Sequence, residues 1–330
     1  MNPSDDSVIL SALQSAAVVD RRDVGRLVVT GGDRIDFLHR LSTNDVASLK
    51  PGGVRGTAFT TEKGRMVDYV TVCVRESSLL LLVSSRAETQ FLQWLEKYHI
   101  MEDVSFSSLT QKTGMATLVG PKALQVASRI VDSPIKINSA SLLNMPFSEV
   151  TVISVDDFHT PMVHFVVEKD NYKTLWDYLC LEGEKQGVGV MNAGAYEAFR
   201  ISRGIPVFGH EISEAFNPYD CGLTHAISFT KGCYIGQEVI ARLDTYQKVQ
   251  RGLVGAVLSD RPDEVQVNVP LNRGTEEIGW LTSLSSIPIN GKYPGLAIVK
   301  KNSMTGEGDL TFRNGEQNYL TKLVELPVAW

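Results

Sequence analysis

The chain has 330 residues, 43% of them hydrophobic and 21% charged, and a formal net charge of −6. Its length exceeds one typical hydrophobic core and predicts two or three cooperating units, while the composition excludes a disordered, collagenous or disulfide-scaffold protein. The bulk charge gives no general drive toward nucleic acid or anionic lipid, so no direct nucleic-acid or membrane partner is expected, although a local basic groove remains compatible with it.

The N-terminal stretch MNPSDDSVILSALQSAAVVDRRD is acidic from its start and lacks the basic and apolar halves of a secretory signal. Apolar runs such as 79–83 fall short of the about 20 residues that cross a bilayer. The expectation is a soluble, monomeric, cytoplasmic protein if Met1 is the true start. The alternative is the mitochondrial matrix or chloroplast stroma after removal of a transit peptide. Residues 26–30 read as a strand that stops at Gly31-Gly32, and Asp33 is placed to cap a helix carrying Phe37, Leu38 and Leu41 on one face. Pro51-Gly52-Gly53 breaks that pattern, and residues 58–59, 66–74 and 79–83 follow as strands of one sheet. Phe91, Leu92, Leu95 and Tyr98 form the next helical face.

A second alternation repeats this rhythm: a strand at 116–119, the Gly120-Pro121 break, a helix over 124–130, and strands near 150–155 and 162–167. Several strands succeed one another without an intervening helix, which predicts an α+β fold with mixed or antiparallel sheets. No GxGxxG or Walker-type loop interrupts the pattern. Beyond Arg251 come short strands at 253–258, 265–269, 279–283, 296–300, 309–312 and 319–324, the last two joined through Arg313-Asn314-Gly315, a hairpin signal. Residues 248–330 are therefore expected to form a small C-terminal β-barrel or sandwich, and residues 1–247 a larger two-part unit.

Three segments carry candidate chemistry. In Lys231-Gly232-Cys233-Tyr234-Ile235-Gly236-Gln237-Glu238, a helix over 237–243 would place Cys233 just before its N-terminus. The free N–H groups there and the Lys231 charge would favour a thiolate. The same pattern fits a small buried thiol in a glycine-shaped turn. Helical spacing sets Tyr196, Arg200 and Arg203 along one side at i, i+4 and i+7, an arrangement that suits either a flat ligand with an anionic tail or an ordinary amphipathic helix. A polar turn over 60–65 delivers Asp68 into a strand, as a proton-handling carboxylate facing a cleft or as a solubilising edge charge. Thr43-Asn44-Asp45 would line a pocket or simply turn the chain. The six histidines are scattered, and Cys73, Cys180, Cys221 and Cys233 form no CxxC pair, so reduced thiols and no metal site are expected.

The run from Lys231 to Glu238, followed by Ala241-Arg242, resembles the signature of the YgfZ family, folate-binding relatives of the glycine cleavage T-protein (GcvT, aminomethyltransferase). Arg22-Asp23-Val24, Val28, Thr30-Gly31, Phe37-Leu38, Thr43-Asn44-Asp45, Gly204-Ile205-Pro206, Asn217-Pro218 and Glu325-Leu326-Pro327 extend the resemblance along the chain. It implies a folate-binding domain in two lobes followed by a barrel, with tetrahydrofolate or a derivative as cofactor. The expected folate-binding set is Tyr196, Arg200, Arg203, Asn44, Gln237, Glu238 and Arg242, and the expected reactive set is Cys233, Lys231 and Asp68. It further implies assembly or repair of [4Fe-4S] enzymes, with client enzymes such as tRNA-modifying methylthiotransferases, or assembly factors, as partners. The alternatives are a tetrahydrofolate-dependent aminomethyltransferase or demethylase, and a non-catalytic adaptor. Two positions depart from the T-protein pattern: Ser202 matches its pterin-holding acid, and Tyr69, not Asp68, matches its catalytic aspartate.

Overall fold

The computed structural model describes residues 5–245, 249–262, 266, 268–304 and 309–330. The first part of the chain runs α1 (Asp5–Gln14), β1 (Ala17–Asp20), β2 (Gly25–Thr30), α2 (Arg34–Leu41), β3 (Val54–Thr60), β4 (Met66–Val74), β5 (Leu79–Val83), α3 (Glu88–Tyr98) and β6 (Ser105–Ser108). It continues with β7 (Thr113–Val119), α4 (Ala123–Ile130), β8 (Ser139–Met145), β9 (Ser148–Val155), β10 (Met162–Glu168), α5 (Tyr172–Lys185), β11 (Gly189–Met191), α6 (Ala193–Arg203) and α7 (Gln237–Thr245). The last part holds β12 (Arg251–Leu258), β13 (Val269–Arg273), β14 (Glu276–Leu284), β15 (Tyr293–Lys300), β16 (Leu310–Asn314) and β17 (Gln317–Val324).

Alternation along the strands divides the apolar residues between opposite sheet faces, and that division sets the layers. The five-stranded sheet has the order β3-β4-β5-β2-β6, and the six-stranded sheet the order β11-β1-β7-β10-β9-β8. Val70, Val72 and Val74 of β4 pack outward with Phe37 and Leu41 of α2 and Phe91 and Leu95 of α3. On the other sheet, Leu118 and Phe165 pack outward with Val126 and Ile130 of α4 and Leu175 and Leu179 of α5. The inner faces meet in a central core, where Cys73, Leu80, Met115, Val119 and Ile153 surround Ile9 of α1 and Ala198 and Phe199 of α6. β1 pairs in parallel with β11 and antiparallel with β7, so the six-stranded sheet is mixed, while the five-stranded sheet is antiparallel throughout, within the expected α+β class.

The C-terminal strands close into a barrel, β12-β15-β14-β13-β16-β17, with β17 returning to β12. Two bulges in β14, at Ile278 against β13 and at Thr282 against β15, accommodate the curvature. The hairpin signalled by Asn314-Gly315 forms, but Asn314 pairs with Gln317, so its two-residue loop is Gly315-Glu316, with Gly315 at φ +63. Two expectations need correction. The strand expected at 265–269 instead covers Val269–Arg273; residues 263–265 and 267 lie outside the described residues, as does the expected domain boundary at 248. Asp33 stands at the N-cap of α2, but its carboxylate accepts from the Asp103 backbone N–H at 2.8 Å, across the sheet edge, and not from the helix. No helix among the described residues is long and apolar enough to cross a membrane.

Candidate functional site

An open cavity of about 2350 Å³ lies between the inner sheet faces and α6 and extends past the edge strand β11 to α5, where Tyr172, Trp176 and Cys180 line it. The strand period decides what β4 contributes to it. Tyr69 and Thr71 line the cavity, whereas Asp68 has the parity of Val70 and Val72 and is turned behind the sheet. Asp68 is fully buried and accepts from the backbone N–H groups of Tyr69 (2.8 Å) and Ser84 (3.1 Å), and burial pushes its carboxyl up to about 7. The expected cleft-facing role of Asp68 is therefore corrected: its perturbed acidity belongs to a structural carboxyl.

Tyr69 occupies the cavity side, with its hydroxyl next to Asp157 from the β9–β10 connection. A Cβ on Gly56 would come within 1.8 Å of the Tyr69 hydroxyl oxygen and 2.7 Å of Asp157 Oδ2, so only glycine lets both groups converge there. Burial raises both groups, Tyr69 well above its usual value and Asp157 further by the Asp156 charge. Phe158 lies edge-on to Tyr69, with ring centroids 5.5 Å apart.

α6 supplies another wall. Asn192 caps it by accepting from the Ala195 N–H at 2.8 Å, and Gly204 ends it in the left-handed region at φ +73. Tyr196 faces the cavity; its hydroxyl accepts from Arg21 Nη1 at 2.6 Å, and the Arg21 guanidinium lies 4.6 Å from its ring centroid. Glu197 also lines the cavity, and although burial raises its carboxyl, Arg200 outweighs that and holds it below the usual range. Arg200 itself is 1% exposed and turned toward the barrel, bonding Glu197 (Nε to Oε2, 3.0 Å), Glu211 (3.3 Å) and Ser283 (2.8 Å). Arg203 donates to Thr160 Oγ1 (2.7 Å) and the His159 carbonyl (2.6 Å), pinning the β9–β10 connection. Helical spacing thus puts the three side chains on one side of α6, but their lengths carry them to three different partners. Ser202 is buried and donates back to the Ala198 carbonyl at 2.8 Å.

The Lys231 to Glu238 segment is a separate place. The Lys231 ammonium donates to the carbonyls of His39, Ser42 (2.6 Å) and Asn44 (3.0 Å), where it caps the C-terminus of α2 in keeping with the helix dipole. Burial lowers it to about 8. Its donors are directed at those carbonyls rather than at the thiol, which corrects the expected pairing of Lys231 with Cys233. Cys233 is exposed, as α7 begins at Gln237, and it does not line the central cavity. Thr60 Oγ1 donates to the Ile235 carbonyl at 2.9 Å, and Gly236 at φ +82 leaves no room for a Cβ, which would lie 2.6 Å from both Thr60 Oγ1 and the Thr61 carbonyl. Glu238 and Arg242 form an exposed i,i+4 pair at 2.7 Å, and neither they nor Gln237 line the cavity. Asn44 is occupied by the Gly56 (3.0 Å) and His225 (3.4 Å) carbonyls and the Asp45 N–H (2.9 Å).

Of the expected site residues, only Tyr196 stands at the cavity. Arg21, Asp157, Glu197 and His210, which line it, were missed. Arg21 and Glu197 adjoin Arg22 and Tyr196, and Asp156-Asp157 is a polar pair between two apolar strands, so these three left a local trace. No group of three or more His, Cys, Asp or Glu able to hold a metal is found among the described residues.

Comparison with known proteins agrees with this architecture. The GCVT N-terminal domain family matches residues 9–231. A putative chloroplastic transferase of Arabidopsis thaliana is 30% identical over 97% of this chain and 74% of its own length. An aminomethyltransferase of Natranaerobius thermophilus is 24% identical over 97% of this chain and 88% of its own. The crystal structure of the glycine cleavage system aminomethyltransferase T from Bartonella henselae superposes with a TM-score of 0.78, covering 98% of this chain and 89% of that one at 18% identity, which establishes the shared fold. The match over residues 9–231, more than half of the chain, places this chain in the GCVT N-terminal domain family.

Proposed function

We propose that the central cavity binds a reduced folate, tetrahydrofolate or a derivative. The observation that carries this reading is the Arg21–Tyr196 pair: an aromatic face held by a guanidinium, at the wall of a cavity that also presents Tyr69, Phe158, Asp157 and Glu197. A pterin is flat and carries N–H donors on one edge, which suits aromatic walls and carboxylate acceptors. The anionic tail of a folate suits Arg22 and Arg86, which line the same cavity. Asp157 offers the paired acceptor that Ser202 does not, from the opposite wall.

Two activities fit such a cavity. The relatives' names favour aminomethyl transfer. The side chains weigh the other way, since Tyr69 stands where the T-protein pattern has its aspartate and Asp68 is turned behind the sheet. The finer reading is support of [4Fe-4S] enzymes, with the exposed Cys233 as the functional thiol; the resemblance of the Lys231 to Glu238 segment and the exposure of that thiol support it. In cells lacking the endogenous protein, the Cys233→Ala chain is expected to restore well under half of the iron-sulfur enzyme activity that wild type restores. Full restoration by Cys233→Ala, together with folate-dependent release of ammonia from an aminomethyl donor by the purified protein, would establish the transferase reading instead.

A further inference from the structure

A second cavity, of about 720 Å³, lies where the β3–β4 turn, α7 and the barrel meet. Lys63 and Arg65 reach it from the turn, Arg251 from β12, and Lys300 and Lys301 from the end of β15. Among the described residues the single carboxylate in its lining is Asp220, and Arg251 already occupies it, Nη2 to Oδ2 at 2.6 Å. Five cations against one carboxylate among the described residues is a local reversal of sign in a chain of net charge −6. A concave surface lined by one sign of charge concentrates its field and gathers counter-ions.

Arg251 pairs with Asp220 and lies over the Phe216 and Trp280 rings, whereas the other four cations have few other duties. Lys63, Arg65 and Lys301 have no ion-pair partner among the described residues, and the Arg65 guanidinium donates to the Ala215 carbonyl at 3.0 Å. Lys300 donates to the Glu277 carbonyl at 2.6 Å and is 3.8 Å from Glu276. It also stands directly opposite Arg251 across the β12–β15 ladder. Like charges in that relation destabilise a sheet, and a bound anion offsets the repulsion. Val239 and Leu243 of α7, with Val249, form an apolar wall. The β3–β4 turn rests on that helix, since a Cβ on Gly64 would lie 3.2 Å from Val239.

We propose that this cavity binds a small ligand carrying adjacent phosphate groups and an apolar ring, as a nucleotide does. The cations come from three separate elements, the β3–β4 turn, β12 and the end of β15, so a chain of phosphates, and not one small anion, engages them together. The volume is that of a small-molecule site, for which roughly 300–1,000 Å³ is usual, and the apolar wall takes the ring. Because the cavity lies against α7, its occupancy braces the helix that follows Cys233. The site stands independently of the folate reading.

The test is isothermal titration of the full chain with ATP, inorganic tripolyphosphate and AMP at low ionic strength. The expected result is saturable one-site binding, with ATP and tripolyphosphate on the order of tenfold tighter than AMP and weakening as salt rises. Lys63→Ala/Lys301→Ala is expected to weaken ATP binding by about tenfold or more without moving the denaturation midpoint, because both side chains are exposed. Tyr196→Ala in the central cavity leaves ATP binding unchanged. The proposal is overturned by the absence of saturable binding at millimolar ATP, or by equal affinity in the double variant. It is also overturned if a single-stranded RNA oligonucleotide binds through Lys63 and Lys301 more tightly than ATP, which would assign the phosphates to nucleic acid.

Discussion

Replacing Arg200 by methionine is expected to destabilise the protein by about 3–5 kcal/mol, measured as a shift in the denaturant unfolding curve. Arg200 is 1% exposed and is the counter-charge of Glu211, which is fully buried. Thr282 Oγ1 (2.6 Å) and Ser283 Oγ (2.7 Å) donate to Glu211 Oε1, and the Val207 N–H (3.2 Å) donates to Oε2. Removing the guanidinium leaves that carboxylate buried with neutral donors alone, which is the costly half of breaking a buried pair. Methionine fills much of the vacated volume, so the loss is electrostatic rather than a cavity effect. Thr282 and Ser283 lie on β14, so the same network fastens α6 to the barrel, and α6 also carries Tyr196 at the cavity. Arg200→Met/Glu211→Gln is expected to recover part of the loss, since the fully buried Glu211 charge is then no longer stranded and only Glu197 has lost its partner. A single-variant loss below about 1 kcal/mol would contradict the account.

The second large effect is a pH dependence carried by Asp68. Burial raises its carboxyl from 3.8 to about 7 in the folded protein, so between those values the folded chain binds the proton that the unfolded chain has lost. The stabilisation is therefore complete below about pH 4 and is lost as pH rises through about 7, with a magnitude up to roughly 4 kcal/mol. His164 works in the opposite sense. Burial lowers it to about 3, so its contribution makes stability rise with pH between about 3 and 6.5. Comparison with Asp68→Asn isolates the carboxyl. The wild-type stability should fall relative to the variant across pH 4 to 7, with the gap constant above about 8. Parallel curves for the two proteins over that whole span would show that Asp68 titrates normally.

Much of the fold was legible because it depends on local signals. The Asn314-Gly315 turn and the short strands around it predicted the barrel, and the repeated strand-helix rhythm predicted the two lobes. The site was less legible. Tyr196 could be read from its place on α6, but the partners of Arg200 and Arg203, Glu211 and Thr160, come from loops whose approach no helical period encodes. Lys231 is two residues from Cys233 in sequence, yet its ammonium is drawn to carbonyls at the end of α2, nearly two hundred residues earlier in the chain. One residue of register separates Tyr69 from Asp68, and the strand period turned that difference into opposite faces of a sheet. The basic cavity was hidden in a net charge of −6, because its lysines lie at both ends of the chain.

The central claim is that the cavity beside Tyr196 holds a reduced folate. Titration of the purified protein with tetrahydrofolate, followed by intrinsic fluorescence, tests it directly. Saturable micromolar binding is predicted for wild type, weakened by about tenfold in Tyr196→Ala through loss of the aromatic face and of the Arg21 contact. Absence of binding at high micromolar tetrahydrofolate, or equal affinity in the two proteins, would contradict it.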